Sequence, residues 1–221
     1  MIITIDGPAG AGKSSVARAL AARLGFDFLD TGAMYRAVTL AGLRSGCDVT
    51  DQHGLGNLLD SLQLEMSPNH IMLNGEDVTT AIRAPEVTAA SGAVASSAEV
   101  RRRLVDMQRR LAAGRNIVCE GRDQGTIVFP DAACKFFLVA DPLERARRRQ
   151  RDLAARGSQV SLEDVRCAQE ERDRRDAARD IAPMVPAADA VILDSTKLTL
   201  DEVVERMEQE ARRRMNAASA Q

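Results

Sequence analysis

The sequence GPAGAGKSS occupies residues 7–15, between the apolar run MIITI and the helix-like segment VARALAA. Its spacing, in which four residues separate a first glycine from Gly12, Lys13 and Ser14, is that of the phosphate-binding P-loop. The run before it predicts a buried strand and the segment after it predicts a helix, which is the setting this loop requires. A glycine-rich turn before an ordinary helix is the alternative, and it leaves the complete motif unexplained. The stretch therefore predicts a strand, a phosphate-binding loop and a helix in succession.

The residue types of this loop suit a nucleoside triphosphate. Its glycines let the backbone turn so that N–H groups point inward, and the following helix adds its positive end. Lys13 can reach the β- and γ-phosphates, and the Ser14 hydroxyl can bind the Mg2+ that bridges them. We therefore predict Ser14 as the protein ligand of Mg2+. The predicted triphosphate-binding residues are Gly7, Pro8, Ala9, Gly10, Ala11, Gly12, Lys13, Ser14 and Ser15.

The composition fits one globular α/β protein. At 221 residues the chain can bury one full core, and its net charge of −2 and 45% hydrophobic content are unlike those of a polycation or a disordered acidic chain. Its four cysteines form no CxxC pair, which predicts reduced thiols. No leader-like segment precedes the first predicted strand, and no apolar run approaches the roughly 18 residues of a membrane span. We therefore predict a soluble, cytoplasmic protein.

Five short apolar runs predict buried strands, at residues 2–6, 26–30, 116–120, 135–140 and 190–194. Several lead at once into a glycine or polar loop and then into helical periodicity, a pattern typical of a parallel sheet with helices on both faces. The predicted fold class is a P-loop three-layer α/β/α fold with a five-stranded parallel sheet. We predict a single domain in which the core comprises residues 1–45, 83–144 and 161–215, a small β-containing insert about 47–82, and a helical lid about 145–160.

Caps and glycines predict the ends of the helices. Gly25 and Gly46 lack a Cβ and follow helical segments, so each can adopt the left-handed conformation that ends a helix. Pro142 is a favoured first-turn residue and opens an arginine-rich helix. Thr199 with Glu202 forms a capping box for the last helix, which we expect to end at about residue 214.

Two polar segments follow predicted strands. In an open α/β sheet ligands bind beyond the carboxyl ends of the strands, so DTGAMYR at residues 30–36 and EGRDQG at residues 120–125 are candidate binding segments. An arginine beside an aspartate, as at Arg122 and Asp123, can bind a phosphate with one and a base amino group with the other. For the first segment an ordinary helix start is the competing interpretation.

Two arginine-rich segments allow two interpretations each. Arg172, Asp176 and Arg179 have helical i, i+4 and i+7 spacing, so a helix would place them on one face, as a binding group or as a surface ladder of salt bridges. The run from Arg145 to Arg151 is by default a charged helix surface. Near a flexible glycine it could instead be a lid that closes arginines over a phosphoryl group.

Taken together, these segments resemble the bacterial cytidylate kinases of the nucleoside monophosphate kinase family. The resemblance extends to about Met207 and is carried by ITIDGPAGAGKSS, LDTGAMYRA, GEDVTTAIRAPEV, EGRDQGTIVFPDA, ERARRR, ERDRRD and APMVPAADAVILDST. It implies phosphoryl transfer from ATP, with Mg2+, to CMP or dCMP, giving ADP and CDP or dCDP. We expect these small molecules to be the partners of a monomer that binds neither nucleic acid nor membrane.

The resemblance also implies residue roles. Lys13, Arg122 and Arg179 would be catalytic, and the P-loop would bind ATP. CMP would contact Thr31, Tyr35, Arg36, Arg101, Arg122, Asp123, Arg172, Asp176 and Arg179. The chain departs from the family pattern at Gly92, where relatives place a serine that this chain has one position earlier, and at Glu120, where an aspartate often stands. We therefore expect the other cytosine contacts to determine base choice.

Three rival functions stay open at this point. A UMP or AMP kinase would share the P-loop and differ in its acceptor. A GTP-driven switch needs an Asn-Lys-x-Asp sequence, which does not occur in the chain. A nucleic-acid-binding module is suggested by the arginine clusters at 101–103 and 145–151, but aromatic residues make up only 3% of the chain and acidic residues are interleaved with the basic ones.

Overall fold

The computed structural model describes residues 1–67, 70–155 and 157–219 of the chain. The molecule divides into two compact units, one formed by Met1–Phe28 with Arg115–Gln221 and the other by Leu29–Gly114. The second unit contains the whole of the predicted insert. The single-domain organisation, with its insert and lid, stays a prediction.

A parallel sheet forms the framework of the fold, with the strand order β2-β6-β1-β7-β8. A second, antiparallel sheet has the order β3-β4-β5 and lies inside the predicted insert. The strands are β1 (Ile2–Asp6), β2 (Asp27–Asp30), β3 (Leu64–Met66), β4 (Ile71–Leu73), β5 (Glu76–Asp77), β6 (Ile117–Glu120), β7 (Cys134–Val139) and β8 (Val191–Asp194). The fold class and the five strands of the parallel sheet are confirmed, each strand to within a residue or two.

The helices follow the predicted caps at most positions. Gly25 and Gly46 both have a φ of 68° and end the first two helices, and Ser97 caps the helix that begins at Ala98. The helices are α1 (Lys13–Leu24), α2 (Thr31–Ser45), α3 (Gln52–Asp60), α4 (Pro85–Ser96), α5 (Ala98–Ala112), α6 (Pro142–Ala154), α7 (Leu162–Ala177) and α8 (Leu200–Ser219).

Three elements differ from the sequence-based expectations or were not foreseen. Helix α3 lies in the insert, where only strands were predicted, and Gln124–Val128 forms a π-helical turn that was not predicted. The last helix extends to Ser219 and not to residue 214. The predicted turn at 68–69 and the lid residue at 156 lie outside the described residues.

The core of the first unit lies beside the P-loop strand. Ile3 and Ile5 of β1 pack with Leu20 of α1, Phe136 of β7 and Met207 of α8, and all five are buried. The parallel register pairs Ile5 with both Glu120 and Phe136, so strands β1, β6 and β7 end at the same edge of the sheet. The loops after these strands therefore emerge side by side.

Candidate active site

The P-loop has the backbone conformation that its glycines were predicted to provide. Gly7, Gly10 and Gly12 have φ angles of 139°, 77° and 96°, which side chains of L-residues rarely adopt. A Cβ on Gly7 would overlap the Leu138 carbonyl, and one on Gly10 would overlap the amide nitrogen of Gln169. The loop therefore depends on these glycines both for its turn and for its close packing.

Lys13 is almost completely buried at the start of α1, with 5% of its surface exposed. Its Nζ donates a hydrogen bond to the Pro8 carbonyl at 2.7 Å, so the side chain curls back over the loop. Burial is the largest cause that lowers the pKa of Lys13, to about 7; the charge of Arg122 acts in the same direction and the carboxylate of Glu120 in the opposite one. The loop thus holds a cation in a poorly solvated place where an anion would stabilise it.

The Ser14 hydroxyl donates to Glu120 Oε1 at 2.6 Å. A hydroxyl and a carboxylate oxygen at the phosphate-binding loop are the hard oxygen ligands that Mg2+ prefers. Within 1–67, 70–155 and 157–219 no cluster of three or more His, Cys, Asp or Glu side chains could hold a metal ion by itself. This donor set fits a magnesium ion that arrives with a nucleotide, because such ions are held by one or two protein oxygens together with phosphates.

Asp176 lies between two arginines in the first unit. Arg122 Nε donates to Asp176 Oδ2 at 2.9 Å, and Arg179 Nη2 donates to the other carboxylate oxygen. Burial alone would raise the pKa of Asp176, but the charges of Arg122, Arg179 and Arg172 outweigh it and lower that pKa. The structure therefore brings together four predicted site residues with a net positive charge.

A helix was expected to place Arg172, Asp176 and Arg179 on one face, and this is wrong for Arg179. Helix α7 ends at Ala177, where the Ala178 N–H donates to the Arg174 carbonyl and the Met184 N–H donates to the carbonyl of Asp176. Arg179 thus lies in the segment after the helix. Its guanidinium still reaches Asp176, so the side chains meet although the predicted geometry does not hold.

The loop after β6 is tethered to β1 by a residue that the sequence did not single out. The Asp6 carboxylate, buried at the end of β1, accepts hydrogen bonds from the N–H groups of Gln124 at 2.9 Å and Gly125 at 2.8 Å. Burial raises the pKa of Asp6 to about 6, although these two N–H groups lower it. Asp123, also buried, directly precedes the tethered residues. The tether therefore fixes the segment that carries Arg122 and Asp123.

In the second unit, Asp30 organises the start of α2. Its Oδ1 accepts a hydrogen bond from the Ala33 N–H at 2.8 Å, which caps the helix, and its Oδ2 pairs with Arg36 at 3.2 Å. Arg83, to which the sequence assigned no role, lies 3.7 Å from the same oxygen. Thr31 is buried as the first residue of α2. Two guanidinium groups and a helix N-terminus therefore lie close together here.

Tyr35 and Arg101 form a second contact in this unit. The Arg101 guanidinium lies over the Tyr35 ring at 5.8 Å from its centroid and donates to the Ala95 carbonyl at 3.3 Å. Ser91, one position before Gly92, is buried and its hydroxyl donates to the Thr88 carbonyl of its own helix. The structure thus places Ser91 in an ordinary helical hydrogen bond.

The surface interpretation of the arginine run is wrong for Arg145, of which only 6% is exposed. It donates to the carbonyl groups of Ala9 and Ala140 and pairs with Asp173. Arg148 donates to Ser195, at 3.0 Å to the hydroxyl and 2.7 Å to the carbonyl. The beginning of α6 therefore packs against the P-loop, because its first arginines find buried partners there.

A parallel α/β sheet with a P-loop after its central strand defines a P-loop protein, a class that binds nucleoside triphosphates. The gluconokinase of Sinorhizobium meliloti has a similar fold, with a TM-score of 0.50 and 17% identity over 99% of this chain and 95% of that one. The likeness at this identity concerns the fold alone.

Comparison with known sequences shows to which family of P-loop proteins the chain belongs. The family model for cytidylate kinase matches residues 3–213. The cytidylate kinase of Rhodopirellula baltica is 48% identical over 100% of this chain and 96% of its own length, and that of Pelotomaculum thermopropionicum is 51% identical over 91% and 92%. The chain belongs to the cytidylate kinase family, and it is accordingly a nucleoside monophosphate kinase. None of the helices among the described residues is both long and apolar enough to span a membrane.

Proposed function

We propose that this chain transfers the γ-phosphoryl group of ATP to CMP or dCMP in pyrimidine nucleotide metabolism, with ADP and CDP or dCDP as products. Family membership over almost the whole chain supports the reaction. The observation that supports it in the structure is the cluster of Arg122, Asp176 and Arg179 in the same unit as the P-loop. Such a cluster offers positive charge for phosphate groups and one carboxylate for a sugar hydroxyl.

The donor side consists of the P-loop and its lysine. Residues 7–15 bind the phosphates of ATP, through backbone N–H groups other than that of Ala9, which donates to Asp173, and of Pro8, which has none. Lys13 moves from the Pro8 carbonyl to the transferring phosphate. Ser14 and Glu120 are the residues that would hold Mg2+, which neutralises phosphate charge when it is bound with ATP. Arg148 is well placed to add charge, since its Nη1 lies 4.0 Å from the position of a Cβ on Gly12.

Each unit carries residues that the proposal assigns to CMP. In the first, Arg122, Arg172 and Arg179 bind the CMP phosphate, Asp123 binds the cytosine amino group, and Asp176 accepts from the sugar hydroxyl. In the second, Thr31 and Arg36 bind the phosphate, Tyr35 lines the pocket, and Arg101 helps hold phosphate or base. Because Ser91 is satisfied within its helix, Asp123 and Arg101 carry the choice of base in this proposal.

Catalysis in this proposal is alignment with charge neutralisation. The CMP phosphate is already a nucleophile, so the protein needs no general base. It must hold two anions in line against their repulsion and stabilise charge on the transferring group. Lys13, Arg122 and Arg179 supply that charge, and their partners Pro8 and Asp176 keep them ordered.

An acceptor panel tests this function. ADP release would be followed by a coupled assay with Mg-ATP and, in turn, CMP, dCMP, UMP, AMP and shikimate. We expect strong turnover with the two cytidine nucleotides, and a loss of about 10³–10⁵ in turnover for Lys13→Ala, the range for one cationic stabiliser of this transfer. Preferred turnover of AMP or shikimate, or near-normal turnover of the variant, would contradict the proposal.

We further propose that the enzyme acts as a cytoplasmic monomer. The free cysteines support the cytoplasmic location, and Cys119 and Cys134 are buried in strands of the sheet. Light scattering at assay concentration would measure the mass, for which 23.9 kDa is the monomer value.

A further inference from the structure

Both backbone polar groups of Ala9 in the P-loop are held by side chains from outside the loop. The Ala9 N–H donates to Asp173 Oδ1 at 2.8 Å, and the Ala9 carbonyl accepts from Arg145 Nη1 at 2.8 Å. Arg145 and Asp173 also form an ion pair with each other, so the three residues close a ring of hydrogen bonds. We call this ring the Ala9 clamp.

The clamp is built from mostly buried groups. The side chains of Arg145 and Asp173 are 8% and 14% exposed, and Arg145 Nε makes a further bond to the Ala140 carbonyl at 3.2 Å. Charge-assisted bonds shielded from water are stronger and more directional than exposed ones. Exposed ion pairs of α7, such as that of Glu171 with Arg174, are open to water and contribute less to the free energy of folding. The clamp is therefore distinct from the surface salt bridges of this arginine-rich chain.

The same helices also fill the space behind the next loop residue. Gln169 Nε2 lies 3.5 Å from the Arg145 carbonyl, and both residues pack where a Cβ on Gly10 would stand. The loop tip is thus held from α6 through Arg145 and from α7 through Gln169 and Asp173. Helix α7 carries Arg172 and Asp176 on either side of Asp173 in sequence, so one helix supports the donor loop and bears the proposed acceptor residues.

We infer that Asp173 and Arg145 are positioning residues for ATP, which set the orientation of the two peptide units that flank Ala9 and thereby the phosphate-binding shape of the P-loop. This inference rests on the proposed function for its nucleotide. Neither residue needs to touch ATP. Their effect is to fix in advance a loop whose N–H groups must converge on the phosphates, which reduces the ordering required when the nucleotide binds.

The matched variants are Asp173→Asn and Glu171→Gln in the full chain. Both remove one carboxylate of α7, but only the first breaks the clamp, because the new amide group presents N–H donors to the Arg145 guanidinium. The affinity for ATP with Mg2+ would be measured by calorimetry without CMP, and KM for ATP and for CMP by the coupled assay. We expect Asp173→Asn to weaken ATP binding about tenfold and to change KM for CMP by less than about threefold, with Glu171→Gln unchanged.

Arg145→Lys provides a second variant that keeps the charge. Lysine lacks the planar fork with which arginine bonds Ala9, Ala140 and Asp173, so we expect weaker ATP binding here as well. Thermal unfolding would show that each variant is folded at the assay temperature. Unchanged ATP affinity in both folded variants would mean that the pair only joins α6 to α7, and tighter binding in Asp173→Asn would mean that Asp173 competes with phosphate; either result overturns the inference. Since ATP binding is measured without acceptor, a failure of CMP phosphorylation would disprove the proposed function separately.

Discussion

Lys13 is a buried cation with a pKa lowered to about 7, chiefly by burial. The phosphates of ATP favour its protonated form, so binding must raise this pKa. We therefore predict that at pH 8, where free Lys13 is mostly neutral, ATP binding takes up about one proton per site. Calorimetric titration in two buffers of different ionisation enthalpy measures this uptake. Lys13→Met is the control that should abolish it, and a binding enthalpy independent of buffer in the wild type would contradict the prediction.

The raised pKa of Asp6 leads to a prediction about how the stability of the folded chain depends on pH. Burial raises its pKa from 3.8 to about 6 in the folded chain, so the folded state binds the proton more tightly than the unfolded state. The stabilisation is present while Asp6 is protonated and is lost as the pH rises from about 4 to about 6, by an amount on the order of 3 kcal/mol.

Comparison of the wild type with Asp6→Asn isolates this effect from other carboxyl groups. The variant cannot ionise at this position, so the difference in free energy of unfolding, wild type minus variant, should fall as the pH rises from about 4 through 6 and be constant above about pH 7. Urea denaturation at several pH values measures it. A difference that stays flat, or that grows with pH, would show that Asp6 is ionised in the folded state at pH 4.

At the scale of helices and strands, the sequence correctly predicts the boundaries that nearby residues determine. Gly25 and Gly46 end helices through their own backbone preferences, and the strands of the parallel sheet are continuous apolar runs. The end of α7 was mispredicted because it depends on a bond from the Met184 N–H to the Asp176 carbonyl. Helical spacing alone cannot show where such a bond interrupts the helix.

The π-helical turn at Gln124–Val128 was not predicted, because its cause lies far away in the chain. Asp6, more than 100 residues earlier, accepts from the N–H groups of Gln124 and Gly125, which as the first residues of the turn have no partner within it. The Val128 N–H then donates to the Asp123 carbonyl, five residues back. The same long-range dependence explains why the roles of Asp6 and Asp173 were missed, while the P-loop residues were found.

Gly125 tests whether this turn positions the acceptor residues. A Cβ there would lie 2.9 Å from Thr4 Oγ1 and 3.2 Å from Lys135 Cδ, so Gly125→Ala must displace the turn. We predict a rise in KM for CMP of about tenfold with little change in ATP affinity, because Arg122 and Asp123 precede the displaced residue.

Gly56→Ala is the matched control for this prediction. A Cβ on Gly56 in α3 would meet Glu99 at an ordinary 3.8 Å, and alanine favours a helix by up to about 1 kcal/mol over glycine. The control should keep both kinetic constants and gain slightly in stability. Equal KM values for CMP in the Gly125→Ala variant and the wild type would show that the turn tolerates the displacement.

At the scale of the whole molecule, the family and reaction were predicted from short motifs spread along the chain, and whole-length similarity confirms the family. The division into units at Leu29 and Gly114 was not predicted, because chain compactness depends on contacts that no single motif encodes. Arg83 illustrates the same limit: it lies in a segment quoted for the resemblance, but its approach to Asp30 depends on the fold of the second unit.

The exposed arginines lead to a prediction about nucleic-acid binding. Many exposed arginines are paired with an acid one helical turn away, which leaves little unbalanced charge; examples are Arg102 with Glu99, Arg166 with Glu163, Arg174 with Glu171 and Arg212 with Glu208. Nucleic-acid binding requires a surface of one sign that releases counterions from the phosphate backbone. We therefore predict no binding of a labelled single-stranded or double-stranded oligonucleotide at 10 μM protein and about 0.15 M salt, measured by fluorescence anisotropy. Binding that weakened steeply with added salt would show that the paired acids do not neutralise these arginines, and it would return a nucleic-acid partner to consideration.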